Sequence, residues 1–151
     1  MTLSSPPEPT GFVAALGIER MLWTPGASRL ELTVTEDHLN KGGVAHGGIH
    51  MMLLDSALGS ALVASLKVEE WCATAQLSTS FLAASRPGER MVAEGRVVRR
   101  GKNVAHLAGE VKVGERLVAS ATGTWAIWSS RPPSLSAGER GLDNGDKGLD
   151  E

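Results

Sequence analysis

The sequence predicts an α+β fold in which a curved antiparallel sheet wraps one long, central, apolar helix. Apolar residues recur at helical spacing between Gly47 and about Leu66, and the pattern changes to two-residue alternation after Trp71. Turns containing glycine then link the later segments as hairpins. Because hairpins join neighbouring strands antiparallel and one long helix precedes most of them, the simplest arrangement is a sheet curled around that helix.

Before the helix, the chain alternates short elements and turns. Residues 10–17 predict an N-capped helical turn that ends at a glycine. Residues 18–23 and 28–35 predict two strands around Pro25-Gly26, since apolar and polar residues alternate in the second of them. Residues 36–48 predict a polar loop that contains glycine.

The predicted helix is apolar on nearly all sides. Large apolar residues recur at steps of three and four positions: Met51, Leu54, Leu58, Leu62 and Leu66. Small residues lie beside them, namely Ala57, Ala61 and Ala64. A helix without a polar face is expected to be buried.

Four strands are predicted after the helix, with turns between them. The segments are 74–81, 90–100, 104–113 and 116–128. The turns are Arg86-Pro87-Gly88, residues 100–103, and Gly114-Glu115. Together with the two earlier strands, they complete one antiparallel sheet.

The 151 residues suffice for one domain with a proper core. Residues 1–10 are rich in proline, and residues 131–151 are rich in glycine and charge without a periodic apolar face. Such segments bury too little apolar surface to offset the entropy of ordering. We therefore predict a domain at 11–130 between mobile segments at 1–10 and 131–151.

The composition argues against several classes of protein. A net charge of −2 is unlike that of a nucleic-acid-binding module. The single cysteine, Cys72, excludes a disulfide framework and favours a reducing compartment. Because there is neither an apolar run of about 20 residues nor a signal-peptide pattern, we expect a cytoplasmic protein without a membrane partner.

The candidate site lies where a glycine-rich loop meets the helix. Free N–H groups at a helix start favour a negative charge or a polarised carbonyl, and Gly47 and Gly48 leave a ligand room to approach. Asp55 interrupts the apolar helix two turns later, where a carboxylate is costly unless it is paired or used. Each feature taken alone has a simpler alternative. Gly47-Gly48 alone is typical of a tight turn, and Asp55 alone is typical of a solvated or paired side chain.

Other chemistries have weaker support. His46, His50 and Asp55 are spaced by four and five residues, which does not keep all three on one helix face, so no metal site is predicted. There is no Gly-x-Ser-x-Gly motif for a serine nucleophile. Cys72 is expected to be inert packing.

The motif around the helix start resembles that of the phenylacetate-degradation (PaaI-type) group of hotdog-fold acyl-CoA thioesterases. The matching residues are Asn40, Gly43, His46, Gly47, Gly48, Asp55, Ala57 and Gly59. The resemblance continues through the later strands and covers about 11–130. Related arylthioesterases carry glutamate where this chain has Asp55, which favours the PaaI-type branch.

The resemblance implies a role for each site residue. The Gly47 amide would stabilise the thioester oxyanion, and Asp55 would attack as nucleophile or activate water as general base. Thr74 would hold the water or the carboxylate. Asn40 and His46 would order the loop and the carboxylate. No cofactor is implied beyond the coenzyme A of the substrate.

Helix geometry makes the expected site a shared one. Gly47 and Asp55 are eight residues apart, which is about 12 Å along a helix, whereas the reacting atoms of one substrate lie about 3 Å apart. The Gly47 amide would therefore act on a substrate together with Asp55 of another subunit. We expect a homo-oligomer, at least a dimer, and further a homotetramer built as a dimer of dimers.

A basic cluster is the candidate site for the coenzyme A phosphates. It comprises Arg96, Arg99, Arg100 and Lys102 around Gly101 and Asn103. Arginine and lysine beside a glycine turn suit phosphate contacts. The alternative is a solvated edge whose charges deter aggregation.

The function predicted from the sequence is hydrolysis of an aryl- or medium-chain acyl-CoA. The alternatives are a hotdog-fold acyl-thioester hydratase or dehydratase and a non-catalytic acyl-CoA-binding module. The presence of Asp55 argues against the binding module. The expected pocket wall is apolar: Met51, Leu54, Leu82 and Trp125.

Overall fold

The computed structural model describes residues 8–133, which form one long helix and a six-stranded sheet. In chain order the elements are α1 (Gly11–Ala15), β1 (Glu19–Thr24), β2 (Ala27–Thr33), a 3-10 helix (Glu36–His38), α2 (Gly47–Val63), β3 (Trp71–Phe81), β4 (Arg90–Arg100), β5 (Val104–Val113) and β6 (Arg116–Trp128). The predicted α+β class is confirmed. Predictions for residues 1–7 and 134–151 lie outside the described residues.

Strand β3 lies at an edge of the sheet although it precedes β4 in the chain. The strand order is β1-β2-β4-β5-β6-β3, and every neighbouring pair is antiparallel. Strand β3 pairs with β6, in a register that sets Thr74 opposite Trp125 and Leu77 opposite Gly123. The chain therefore crosses from β2 to the far edge through α2, which lays the helix over the sheet.

The face of α2 that meets the sheet carries the core. Buried helix residues pack against buried residues of the sheet: Leu54, Ala57, Leu58 and Leu62 against Leu30, Leu32, Met91 and Leu107. The helix is not buried all round, because Met51 is 41% and Val63 47% exposed. Leu54 and Trp125, predicted to line the pocket, are instead core residues at 0% and 2% exposure.

Strands β2 and β4 contact the backbone of α2 directly. The Ser28 hydroxyl donates to the Ala57 carbonyl oxygen at 2.5 Å. Gly95, paired with Ser28, lies under the same carbonyl, so that a Cβ there would be 2.6 Å from the Ala57 oxygen. Glycine is required at this position because the strand and the helix backbone touch.

The β1–β2 hairpin binds the C-terminal turns of α2. Trp23 Nε1 donates to the Ser60 carbonyl at 2.9 Å, and the Gly26 N–H donates to the Ala61 carbonyl at 3.1 Å. The last carbonyls of a helix lack intrahelical donors, and Gly26 supplies one to Ala61, while Trp23 adds a second donor to Ser60, which also accepts from the Ala64 N–H. The C-terminal half of α2 is therefore held by side-chain and backbone bonds as well as by packing.

Most strand boundaries agree closely with those predicted from the sequence. Strands β4, β5 and β6 begin and end at the predicted residues, whereas β1 and β2 are displaced by one or two positions. Thr10 precedes α1, but its side chain makes no capping hydrogen bond. Among the described residues, no helix combines the length and apolarity that a membrane span requires.

Candidate active site

Asp55 lies on the face of α2 that is turned towards strand β3. The Thr74 hydroxyl donates to Asp55 Oδ1 at 2.8 Å, so the structure brings these two predicted residues together. Asp55 and Thr74 lie at a partly open position, where the Asp55 side chain is half-buried. The carboxylate is therefore held in one orientation while it remains accessible to a ligand.

His46 caps the start of α2. Its Nδ1 accepts a hydrogen bond from the Gly48 N–H at 2.9 Å, and its carbonyl accepts one from the Ile49 N–H at 2.9 Å. Gly47 is the first residue of the helix, where the N–H has no acceptor within the helix. This N–H, reinforced by the helix dipole, suits a developing oxyanion.

Phe81, at the end of β3, covers the Gly47 backbone. A Cβ on Gly47 would lie 3.2 Å from Phe81 Cε1, so a larger residue would press against the ring. A cavity of about 350 Å³ opens beside them and is also lined by Asn40, His50 and Leu82. No sequence signal marks Phe81 as a site residue, because only its position in the fold places it over Gly47.

His50 joins the start of α2 to the segment after β3. Its Nε2 lies 3.1 Å from Ser85 Oγ, and its ring packs edge-on against Phe81 with centroids 6.2 Å apart. Burial lowers the pKa of His50 from its ordinary value, and the His46 carbonyl opposes this shift. The lowered pKa favours the neutral form of His50, whose ring shapes the cavity wall, a role that its spacing from His46 did not indicate.

Asn40 closes the loop that leads to the helix. Its side-chain Oδ1 accepts from the Gly42 N–H at 2.8 Å, and its backbone N–H donates to the Val44 carbonyl at 2.8 Å. Gly43 takes a φ of +73°, which favours glycine in this turn. Asn40 thus orders the loop and lines the cavity beside Gly47.

The predicted site residues form two groups at different levels of α2. Asn40, His46 and Gly47 lie at its start, whereas Asp55 and Thr74 lie about 12 Å further along, at 1.5 Å per residue. Because Phe81 is beside Gly47 and Thr74 is beside Asp55, α2 and β3 run antiparallel to each other. One chain therefore presents two half-sites.

Arg100 is engaged within the chain. Its guanidinium forms an ion pair with Glu70, and its Nη1 donates to the Ser65 carbonyl at 3.0 Å. The Lys67 backbone N–H, followed by the Arg100 guanidinium, lowers the pKa of the Glu70 carboxyl. Arg100 therefore fastens the connection between α2 and β3.

The other residues of the basic cluster lie on the exposed β4–β5 hairpin. Arg99 and Lys102 have exposed side chains. The Gly101 N–H donates to the Val104 carbonyl at 2.8 Å, and the Asn103 carbonyl accepts from the Ile127 N–H at 2.8 Å. Gly101 and Asn103 thus set the shape of the turn that presents the two cations.

Comparisons with known proteins identify relatives of this fold and site. The family model described as the thioesterase superfamily matches residues 42–120. A Deinococcus radiodurans protein whose name proposes esterase activity is 37% identical over 109 residues, which are 72% of each chain.

Two solved structures illustrate the likeness in three dimensions. A mutant of the phenylacetic acid degradation protein PaaI from Thermus thermophilus is 29% identical, with a TM-score of 0.72 over 76% of this chain and 96% of that one. A Streptococcus mutans protein, solved with acetyl CoA bound, is 24% identical, with a TM-score of 0.70 over 76% and 91% of the two chains. The chain therefore belongs to the thioesterase superfamily, as a thioester hydrolase of the PaaI type with the hotdog fold.

Proposed function

We propose that this enzyme hydrolyses an aryl- or medium-chain acyl-CoA to the free acid and coenzyme A. The observation that carries the proposal is the Thr74–Asp55 hydrogen bond, which holds an accessible carboxylate on the same helix that begins with the Gly47 amide. A nucleophile or base and an oxyanion donor are what thioester hydrolysis requires. This chemistry needs no cofactor beyond the coenzyme A of the substrate.

Asp55 has two routes to the same products. As nucleophile, it would attack the thioester carbon, release the coenzyme A thiolate and form an anhydride that water then hydrolyses. As general base, it would take a proton from the water that attacks the same carbon, and the C–S bond would then break to release the coenzyme A thiolate. In both routes the Gly47 amide would hydrogen-bond the carbonyl oxygen as negative charge develops on it.

The two half-sites would meet across a dimer. If β3 pairs with a second copy of itself about a two-fold axis near Leu77 and Ser78, Thr74 of one chain approaches the Phe81 end of the partner strand. Asp55 lies beside Thr74, and Gly47 lies beside Phe81. The axis would therefore create two identical sites, each with one carboxylate and the partner's Gly47 amide. We further propose that two such dimers form a tetramer and that the enzyme is cytoplasmic.

The exposed cations of the β4–β5 hairpin would bind the coenzyme A phosphates. The Streptococcus mutans relative holds acetyl CoA, which supports a nucleotide thioester as ligand. Because Arg100 is paired with Glu70, we assign the main contacts to Arg99 and Lys102, with Gly101 and Asn103 shaping the turn.

Lys102→Ala should raise KM for acyl-CoA about three- to tenfold with little change in kcat, as expected when ground-state binding is lost. The KM for the matching acyl-pantetheine, which lacks the nucleotide, should not change. Lys112→Ala is the matched control, since Lys112 pairs with Glu110 on β5. Equal effects on both substrates would reject the phosphate role.

Mixing two inactive variants tests the shared site. Asp55→Asn removes the carboxylate, and Gly47→Pro removes the amide proton at a helix start, where proline is tolerated. After co-refolding at equal amounts, about a quarter of wild-type activity should return, because half of the dimers are mixed and each has one intact site. Both parent proteins must first be shown to be folded, and mass spectrometry must show that mixed dimers form. Mixed dimers without activity would overturn the shared site.

A further inference from the structure

An apolar groove lies at the C-terminal end of α2, away from the Gly47 cavity. Its volume is about 580 Å³, within the range of small-molecule sites. We call it the Val63 groove; it is lined by Trp23, Val63, Leu66, Val68, Trp71 and Cys72, among others. Val63, Val68 and Trp71 are 47%, 93% and 37% exposed, which is unusual for side chains of this kind clustered together.

The floor and rim of the groove are held in place by bonds described above. Trp23 is fixed by its hydrogen bond to the Ser60 carbonyl. Glu70, at the rim, is fixed by its ion pair with Arg100. The groove is therefore preformed, so a ligand would not have to order its walls.

Val63, which lines the groove, lies on the same face of α2 as Asp55, so the path between them runs along the helix. Gly59 and Val63 follow Asp55 at four-residue steps and so share its helix face. Gly59, between the other two, has no side chain to obstruct the path. On the strand side, Cys72 precedes Thr74 by two residues and therefore shares its face of the sheet, about 7 Å away.

Resting on the proposed function, we propose that the Val63 groove binds the distal part of an unbranched aliphatic acyl chain. Asp55 and Val63 are about 12 Å apart along the helix. An extended carbon chain advances about 1.25 Å per bond, so an acyl chain of about ten carbons reaches the groove and one of about twelve to fourteen enters it. A single aromatic ring or a short acyl group would stop before Val63.

The first test is the dependence of kcat/KM on acyl length for straight-chain acyl-CoAs. The wild type should gain about three- to fourfold per methylene beyond about ten carbons, as burial of each methylene predicts, until the groove is full. Phenylacetyl-CoA should fall among the short chains. A profile that is flat or falls beyond hexanoyl-CoA would overturn the proposal.

Val63→Phe fills the groove from an exposed position at the end of α2. It should lower kcat/KM at least about tenfold for tetradecanoyl-CoA and leave hexanoyl-CoA unchanged. Val98→Phe is the matched control, since Val98 is an exposed valine on β4, and it should change neither. An equal loss for both chain lengths, or a changed oligomeric state with an unchanged length profile, would show that the groove serves another purpose.

A second readout needs neither a variant nor turnover. Cys72 is the only cysteine and lines the groove, so its alkylation rate reports whether the groove is occupied. The tetradecyl thioether of coenzyme A, which cannot be hydrolysed, should slow alkylation at least about fivefold when saturating, and the ethyl thioether should not. Equal rates with the two thioethers would overturn the proposal.

The two measurements separate this proposal from the proposed function. Protection of Cys72 without thiol release from any acyl-CoA would reject acyl-CoA hydrolysis and retain the groove as a chain-binding site. Thiol release with neither length dependence nor protection would retain the enzyme and reject the groove.

Discussion

The two long faces of α2 are held in different ways. On the face towards β2 and β4, the helix backbone touches the sheet: Ser28 bonds the Ala57 carbonyl, and Gly95 lies directly beneath it. On the face towards β3, a glycine and a half-buried aspartate replace large side chains, and one hydrogen bond from Thr74 joins helix to strand. The first face is a rigid support, whereas the second leaves room for a ligand.

This difference separates stability from activity along a single helix. Substitutions on the supported face should change the free energy of unfolding, and substitutions on the open face should change the rate. A loss of stability from a substitution on the open face, or a loss of rate without a loss of stability from one on the supported face, would contradict this distinction.

The largest effect is expected from Asp55→Asn on the open face. Turnover should fall at least about 10³-fold because the substitution removes the proposed nucleophile or base. Thiol release from acyl-CoA measures the rate, and thermal unfolding should show a nearly unchanged Tm. Asp55→Glu should be less harmful, since it keeps a carboxylate. A variant that retains most of its turnover would exclude Asp55 from catalysis.

Gly95→Ala should cause the largest loss of stability, about 1–3 kcal/mol. The new methyl group would lie 2.6 Å from the Ala57 oxygen, so the helix and the strand must separate. Gly59→Ala makes the same change on the open face, where the nearest neighbour is Trp125 Nε1 at 3.7 Å. Because alanine favours helix, this control should be neutral or stabilising in chemical denaturation. Similar losses in both variants would contradict the comparison.

Thr74→Val should reduce kcat about tenfold with a small change in KM. Valine keeps the shape of threonine but removes the hydroxyl that donates to Asp55, a loss of roughly 1.4 kcal/mol. Thr74→Ser restores the donor and should recover most of the rate. If Thr74→Val lowered the Tm and left kcat unchanged, the hydrogen bond would be structural.

The smallest effect is a pH dependence of stability that originates at His50, in the wall of the Gly47 cavity. Burial lowers the pKa of His50, so below its ordinary value of about 6.5 the unfolded chain binds a proton that the folded protein resists. The free energy of unfolding should therefore decrease as pH falls from about 7 towards 5. His50→Gln, which can still bond Ser85, should flatten this slope. Parallel Tm–pH curves for the two proteins would show that His50 does not contribute.

Most of the fold and half of the site could be predicted from the sequence. Two-residue alternation and glycine turns locate β4, β5 and β6 because both signals are local. The motif around Asp55 indicates the helix proposed to be catalytic for the same reason. The predicted pairing of Asp55 with Thr74, which came from the resemblance, agrees with the hydrogen bond between them.

The remaining contacts depend on which elements become neighbours. Nothing near Ser28 in the chain indicates that its hydroxyl reaches Ala57, and Arg100 carries no local sign of its pairing with Glu70. An almost wholly apolar helix also conceals which side is open, so the sequence alone predicts Leu54 in the pocket wall, whereas the structure has it in the core.

The edge position of β3 has a consequence for synthesis on the ribosome. Its partner in the sheet, β6, is the last strand of the described chain, so the β3 backbone emerges about forty residues before its hydrogen-bonding partner. Strands β1, β2 and β4 can pair during that interval, whereas β3 cannot. The supported face of the helix can thus form while the chain is still growing, and the Thr74–Asp55 contact is completed among the last. A nascent chain that stalls before β6 would expose an unpaired strand to aggregation before the Thr74–Asp55 contact had formed.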